Sequence, residues 1–222
     1  MIKTTKYIGV ITLITLIAGL TAFLLLPADA TIPLHWDING NIDKRADSRD
    51  ILFIIPIFQI FVVALFAVAM AIEPRQENIR KSMPAIQVMI SSTFILLAFV
   101  QLIIIAKSFN IDIFGIKTLF SVIGILFVII GNYLTKMRSS FFFGIRTPWT
   151  LSSDHVWKKT HRIAGRLFML AGAIIFLTSF FVTIKTMSYI ILWTVIPAVT
   201  ISVVCSWIIW HREKANENQQ PS

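Results

Sequence analysis

Six stretches of this chain run for 18 residues or more without Asp, Glu, Lys or Arg: Ile8–Ala28, Ile51–Ile72, Ser82–Ala106, Thr118–Thr135, Leu167–Ile184 and Thr186–Trp210. Each is long enough to cross a hydrocarbon core of about 30 Å as a helix. Lipid offers the backbone no partners, so a spanning segment must satisfy its own N–H and C=O groups, and an apolar run of this length does so as an α-helix. The expected architecture is all-α, a polytopic membrane bundle of six transmembrane helices. The fourth and fifth runs sit near the short limit, where Lys136, Arg138 or Arg166 extend them by snorkelling into the headgroups. With 56% hydrophobic and 14% charged residues, the composition lies outside the range of ordinary soluble domains.

The Lys/Arg distribution sets the expected orientation. With the N-terminus inside, 14 of the 20 basic residues fall on the cytoplasmic side, and Lys44, Arg45, Arg49, Lys107, Lys117 and Lys185 fall outside. Both termini are therefore expected in the cytoplasm. The net charge of +9 reads as a topology signal that also attracts anionic lipid, and no direct nucleic-acid binding is expected. Lys3 and Lys6 before an apolar run resemble a signal peptide, but the run is long and Pro27–Ala30 is a weak cleavage site, so a retained helix is expected. Cys205, alone and inside the last run, reads as a buried structural thiol. Pro56 and Pro197 are expected to bend the second and sixth helices. Ser91–Thr93, Gln87 and Gln101 put polar groups on a face of the third, where packing hydrogen bonds are expected.

Two polar segments remain. The first external loop holds TIPLHWDINGNIDKRADSRD, with Pro33 stiffening its entry, a turn signal at Asn39-Gly40, and Asp43, Asp47 and Asp50 as capping residues. His35-Trp36 has two readings, an interfacial anchor or an extracytoplasmic surface that recognises a peptide or headgroup. A metal site lacks convincing ligand spacing there.

The second is a polar island, Gly131–Arg166, between the fourth and fifth runs. Gly131 permits close helix approach, and Asn132 needs a partner if it lies in lipid. Phe141–Phe143 suit the interface and Gly144 breaks the run. Pro148 disfavours helix at Thr147. Thr150 or Ser152 is a candidate cap for a helix starting near Ser153 and running toward or into span five. Trp157, His161 and Gly165 repeat at four, and Lys158, Arg162 and Arg166 make an adjacent stripe. One reading is positive-inside charge anchored on anionic lipid; another is an ordered site in which Arg146 and Arg162 hold Asn132 or backbone carbonyls. A catalytic role for His161 lacks a nucleophile, paired carboxylates or metal partners nearby in sequence. No catalytic residue, cofactor or metal is assigned.

The blocks GNYLTKMRSSFFFGIRTPWTLSSDHVWKKTHRIAGRLF and IPLHWDINGNID resemble the SdpI family of bacterial integral membrane proteins, and the N-terminal part resembles the DUF1648 domain. The resemblance spans essentially the whole chain and is strongest from Gly131 to Phe168. Pro33, His35, Trp36 and Gly40 match the first block. Gly131, Asn132, Arg138, Gly144, Arg146, Thr147, Pro148, Trp149, Thr150, Trp157, His161, Arg162, Gly165 and Arg166 match the second. The resemblance implies a 1–72 helical hairpin with its external loop, an 82–210 four-helix region with cytoplasmic loop 136–166, and a polar tail at 211–222. It further implies immunity to a secreted killing peptide and sequestration of a cytoplasmic repressor at the bacterial cell membrane. The competing classes are a small-solute or lipid transporter, which needs a polar path through Asn132, Gln101 and Ser91–Thr93, and a membrane enzyme of unknown reaction.

Overall fold

In a computed structural model describing the backbone of residues 2–112 and 115–217, six long apolar helices form the membrane bundle. The helices are α1 (Ile2–Leu25), α2 (Ile54–Ile72), α3 (Gln76–Ser108), α4 (Ile116–Leu134), the short α5 (Pro148–Ser152), α6 (Asp154–Thr178) and α7 (Ile184–Glu217). Strands β1 (Ile32–Trp36) and β2 (Ile42–Ala46) form an antiparallel hairpin between α1 and α2. Leu24, Phe181 and Trp193 are 70%, 85% and 77% exposed, and many other large apolar side chains along the helices are more than a third exposed. Such a surface is stable against lipid tails and not against water. The protein is a multi-pass membrane protein.

The helices form two groups joined through α3. The first contains α1, α2 and α3; the second contains α4, α6 and α7, and α3 also packs on α4. The tightest pair is α4 with α6. A Cβ on Gly131 would lie 2.5 Å from the Gly165 carbonyl oxygen, and one on Gly165 would lie 2.5 Å from that of Gly131. Gly124 and Gly172 repeat this reciprocal contact seven residues away along each helix. Two bare patches, facing each other twice, let antiparallel backbones meet where lipid supplies no hydrophobic drive for association.

That pairing fixes how far α6 projects. With Gly165 opposite Gly131, the end of α4 at Leu134 is level with Arg162, so Asp154–His161 extends past α4 by roughly 12 Å. The helix of span five therefore begins at Asp154, as the expected helix start near Ser153 required, and it ends at Thr178, short of the Ile184 at which its uncharged run closes. Lys185 lies in the first turn of α7. The polar tail expected at 211–222 continues the last helix: α7 runs to Glu217, and residues 218–222 lie outside the described part. The connection between α3 and α4 includes residues 113–114, which also lie outside it. Pro56 sits in the first turn of α2, where its missing N–H would have had no intrahelical partner, so it starts a helix and does not bend one.

Of the polar groups expected to make packing hydrogen bonds on α3, Gln101 bonds across to the segment before α2, donating to the Leu52 carbonyl at 2.9 Å, and Thr93 bonds back within its own helix to that of Met89. At the end of α3, Asn110 takes φ +57°, and Ile111 N–H returns to the Ala106 carbonyl at 2.8 Å, a Schellman closure.

Overpacking the α4–α6 seam destabilises the bundle. Gly131→Ala is expected to cost about 1–3 kcal/mol, read as a fall in the thermal midpoint of purified protein in detergent. Gly9→Ala, with open space around its Cβ, leaves the midpoint unchanged or raises it.

Candidate functional site: a clamped loop at one face and a hairpin at the other

The island is held by a carboxylate that sequence reasoning passed over. Glu73 ends α2 and is 2% exposed. Its Oε2 accepts the backbone N–H groups of Phe141 at 3.0 Å and Phe142 at 3.2 Å, and Oε1 accepts that of Arg75 at 3.1 Å. A negative charge at a helix C-terminus opposes the dipole, so this position costs stability unless donors surround it, as they do here. Arg75 extends the clamp: its guanidinium donates to Ser139 Oγ and, at 2.9 Å, to the Leu151 carbonyl, and lies 4.9 Å from the centroid of Phe141. Asn78 donates to the Ser139 carbonyl at 2.9 Å, and Ser82 Oγ accepts the Arg138 N–H at 2.8 Å. The turn between α2 and α3 thus grips the loop after α4 residue by residue.

A second grip comes from α6. Trp157 is 1% exposed and its indole N–H donates to the Met137 carbonyl at 2.9 Å. His161 stacks on Trp157 with centroids 4.0 Å apart. Its Nε2 faces the Ile145 N–H at 3.0 Å and its Nδ1 faces the Trp157 carbonyl at 2.9 Å. The Ile145 N–H can only donate, so Nε2 accepts, the proton sits on Nδ1, and the ring is neutral. With both nitrogens engaged and the ring buried, His161 is a structural clasp. Gly144 passes directly over this stack with φ +102°, and a Cβ there would lie 2.5 Å from His161 Nε2. Only glycine fits.

The segment between the grips is closed by its own caps. Thr147 is the N-cap of α5 in extended conformation, and Pro148 opens the helix, as expected. Thr147 Oγ1 accepts the Thr150 N–H, and Thr150 Oγ1 accepts the Thr147 N–H at 2.8 Å. Ser153, not Ser152 or Thr150, is the N-cap of α6, because α5 occupies the preceding residues. Trp149 donates to Ser206 Oγ on α7. The ordered loop is present, and of the two arginines expected to hold it Arg146 does so, through a backbone carbonyl. Arg146 holds the Phe141 carbonyl at 2.8 Å, while Asn132, Arg138, Arg162 and Arg166 point their side chains to the exterior. Neither arginine holds Asn132. Gly165 serves the α4 contact.

At the opposite end of the bundle, the Asn39-Gly40 signal produces the turn of the β-hairpin, an element the loop reading did not include. Asp37 Oδ1 accepts the N–H groups of Asn39 and Asn41, both at 2.8 Å. The Asn41 N–H bond in particular holds the Asp37 carboxyl below its usual value. Asp43 faces His35 Nδ1 at 2.6 Å and is a partner, not a cap; Ser48 caps the following 3-10 turn. Pro33 is buried, Trp36 is half-buried and pairs across to Ile42, and His35 is exposed. Gly40, at φ +89°, packs on Ile116 and Ile184, which open α4 and α7. Arg49 closes the base by donating to the carbonyls of Phe23 and Leu26. Among the described residues, no three His, Cys, Asp or Glu side chains converge to hold a metal.

The profile of the SdpI/YfhL protein family matches residues 136–210, from the loop after α4 into α7. The Immunity protein SdpI of Bacillus subtilis is 30% identical over 185 residues, which is 82% of this chain and 84% of that protein. No solved structure matches the chain.

Removing the Glu73 charge frees the loop first. Glu73→Gln is expected to cost about 2–3 kcal/mol and to speed chymotryptic cleavage at Phe141–Phe143 while the six spans stay intact. Cleavage at the parent rate would show that the loop does not depend on this carboxylate.

Proposed function

The chain belongs to the SdpI/YfhL family, and from that membership we propose that it is a non-enzymatic immunity protein that protects a bacterial membrane against a secreted antimicrobial peptide. The observation that carries this reading is the match to an immunity protein over 82% of the chain. The positive-inside count supports an orientation with the hairpin outside and the clamped loop in the cytoplasm. In this reading the outer hairpin meets the peptide. Its exposed His35 and half-buried Trp36 lie at the rim of the bilayer, where an amphipathic ligand would arrive with apolar and polar groups together.

The same reading gives the island the inward role. Gly40 rests on the first residues of α4 and α7, α4 meets α6 through the glycine pairs, and α6 carries the Trp157–His161 clasp. A peptide that moves the hairpin would displace the ends of α4 and α7, and the α4–α6 seam would pass that shift to the loop. Arg138, Arg146, Arg162 and Arg166 present exposed guanidinium groups on that face, suited to an acidic patch on a cytoplasmic partner such as a repressor. A buried, doubly engaged His161 supports the non-enzymatic assignment, since no nitrogen is left to exchange a proton with a substrate.

The test is survival of peptide-sensitive cells expressing the protein, challenged with sporulation-delay peptide and with peptides from the protein's own host. Protection is expected, with Trp36→Ala losing it and Arg146→Ala keeping peptide binding while weakening capture of the partner. Absence of protection at matched membrane expression overturns the immunity reading.

A further inference from the structure

Because α6 and α7 both run past the end of α4, their projecting ends leave a groove of about 510 Å³ lined by His155, Lys159, Ile208, Ile209, Arg212 and Glu213. His155 and Lys159 are one turn apart on α6, and Ile208 and Arg212 one turn apart on α7, so each helix contributes a single face. The charges are unequal. Glu213 is already engaged: its Oε1 accepts Ser153 Oγ at 3.0 Å, at the N-cap of α6, where the positive end of the helix dipole favours it. Lys159 and Arg212 have no ion-pair partner among the described residues. Two cations without an ion-pair partner among the described residues therefore outnumber the one carboxylate in a groove whose wall is two isoleucines.

The wall decides what kind of anion fits. Ile208 and Ile209 continue the apolar surface of span six into the groove, and Trp207, 45% exposed, sits beside them with Trp210 one turn on. Tryptophans on a spanning helix mark headgroup depth. A soluble phosphate would find the cations but leave the apolar wall wet. A lipid would place its phosphate on the cations and its glycerol and first methylenes on the isoleucines. We propose that this groove is a binding site for an anionic glycerophospholipid, with Lys159 and Arg212 gripping the phosphodiester. The second oxygen of Glu213 is buried without a hydrogen-bond partner among the described residues. A headgroup bearing a hydroxyl, as in phosphatidylglycerol, supplies a donor on that side of the groove. The site does not depend on immunity. It bridges the two helices that hold the island, so an occupied groove ties α6 to α7 at the membrane surface.

The full chain, purified in detergent, is titrated with phosphatidylglycerol and with phosphatidylcholine of the same acyl chains, and bound lipid is counted by native mass spectrometry. Phosphatidylglycerol is expected to bind at least about tenfold more tightly, and Lys159→Gln/Arg212→Gln to lose about tenfold in that affinity. Lys158→Gln/Arg162→Gln removes the same charge outside the groove and is expected to change it less than about threefold. Lys159→Arg/Arg212→Lys, which keeps both charges, retains binding. Equal losses in the two glutamine pairs would mean diffuse attraction and overturn the site. So would binding of glycerol 3-phosphate as tight as that of the lipid, or loss in the charge-keeping pair as complete as in the glutamine pair.

Discussion

The glycine-to-glycine approach of α4 and α6 sets the geometry on which the other features depend. Lipid tails are as apolar as the helices they surround, so burial of leucine drives little association inside a bilayer. Contact must come from backbones close enough for many weak attractions to add. Gly124 against Gly172 and Gly131 against Gly165 provide that at two points, and two points fix both crossing and register. Register in turn decides that α6 rises past α4, that Trp157 and His161 stand above the membrane end of α4, and that the loop leaving α4 must fold back beneath them. A slip of one turn along the seam would bring side chains where glycines now face carbonyl oxygens.

The loop is then a consequence of two elements that are distant in sequence. Glu73 binds it from the α2–α3 turn and the Trp157–His161 stack binds it from α6. Each supplies what the loop's own backbone lacks, acceptors for Phe141, Phe142 and Ile145 N–H groups and a donor for the Met137 carbonyl. A loop held by such bonds at a membrane face is costly to open, because each freed group must find water or stay unpaired. It is also a place where the two halves of the bundle meet: α2 and α3 on one side, α6 on the other. Together with the direct packing of α3 on α4, it ties the two halves to each other.

The architecture was legible in the sequence because lipid imposes a simple rule, an uncharged run of sufficient length. Six such runs gave six helices. The boundaries were not equally legible. The rule finds where charge stops, not where helix starts; α6 begins thirteen residues before its apolar run, a start near Ser153 that was legible from the turn chemistry after Pro148, although the cap proved to be Ser153 and not Thr150 or Ser152. Within the site, Gly131, Gly144, Trp157, His161 and Gly165 were visible as residue types with few uses in a charged membrane loop, and the structure brings all five into one contact system. Glu73 was missed. It looked like the charge that ends a span, and only the fold brings Phe141 to it; the signal available was its sign, since a lone carboxylate at a helix C-terminus opposes the dipole. The arginine reading was right for one residue and wrong for the other: Arg146 holds a backbone carbonyl, that of Phe141, whereas Arg162 lies with Arg166 on a face of α6 that neither α4, α7 nor the loop covers, and it is exposed.

The outward arginines and the inward glycines are thus the same helix read on two sides. A helix that repeats Trp157, His161 and Gly165 at four must carry Lys158, Arg162 and Arg166 at four on the adjacent face. The apolar repeat is committed to packing, so it fixes the orientation of the basic one. An acidic surface that binds the basic face therefore acts on a helix whose adjacent face holds the loop clasp. Conversely, a change in the seam rotates the basic face with it. A rigid helix with one face in each system needs no flexible relay to connect them; it needs only to move as a body, and α6, capped by Ser153 and unbroken by proline from Asp154 to Thr178, is built to do so.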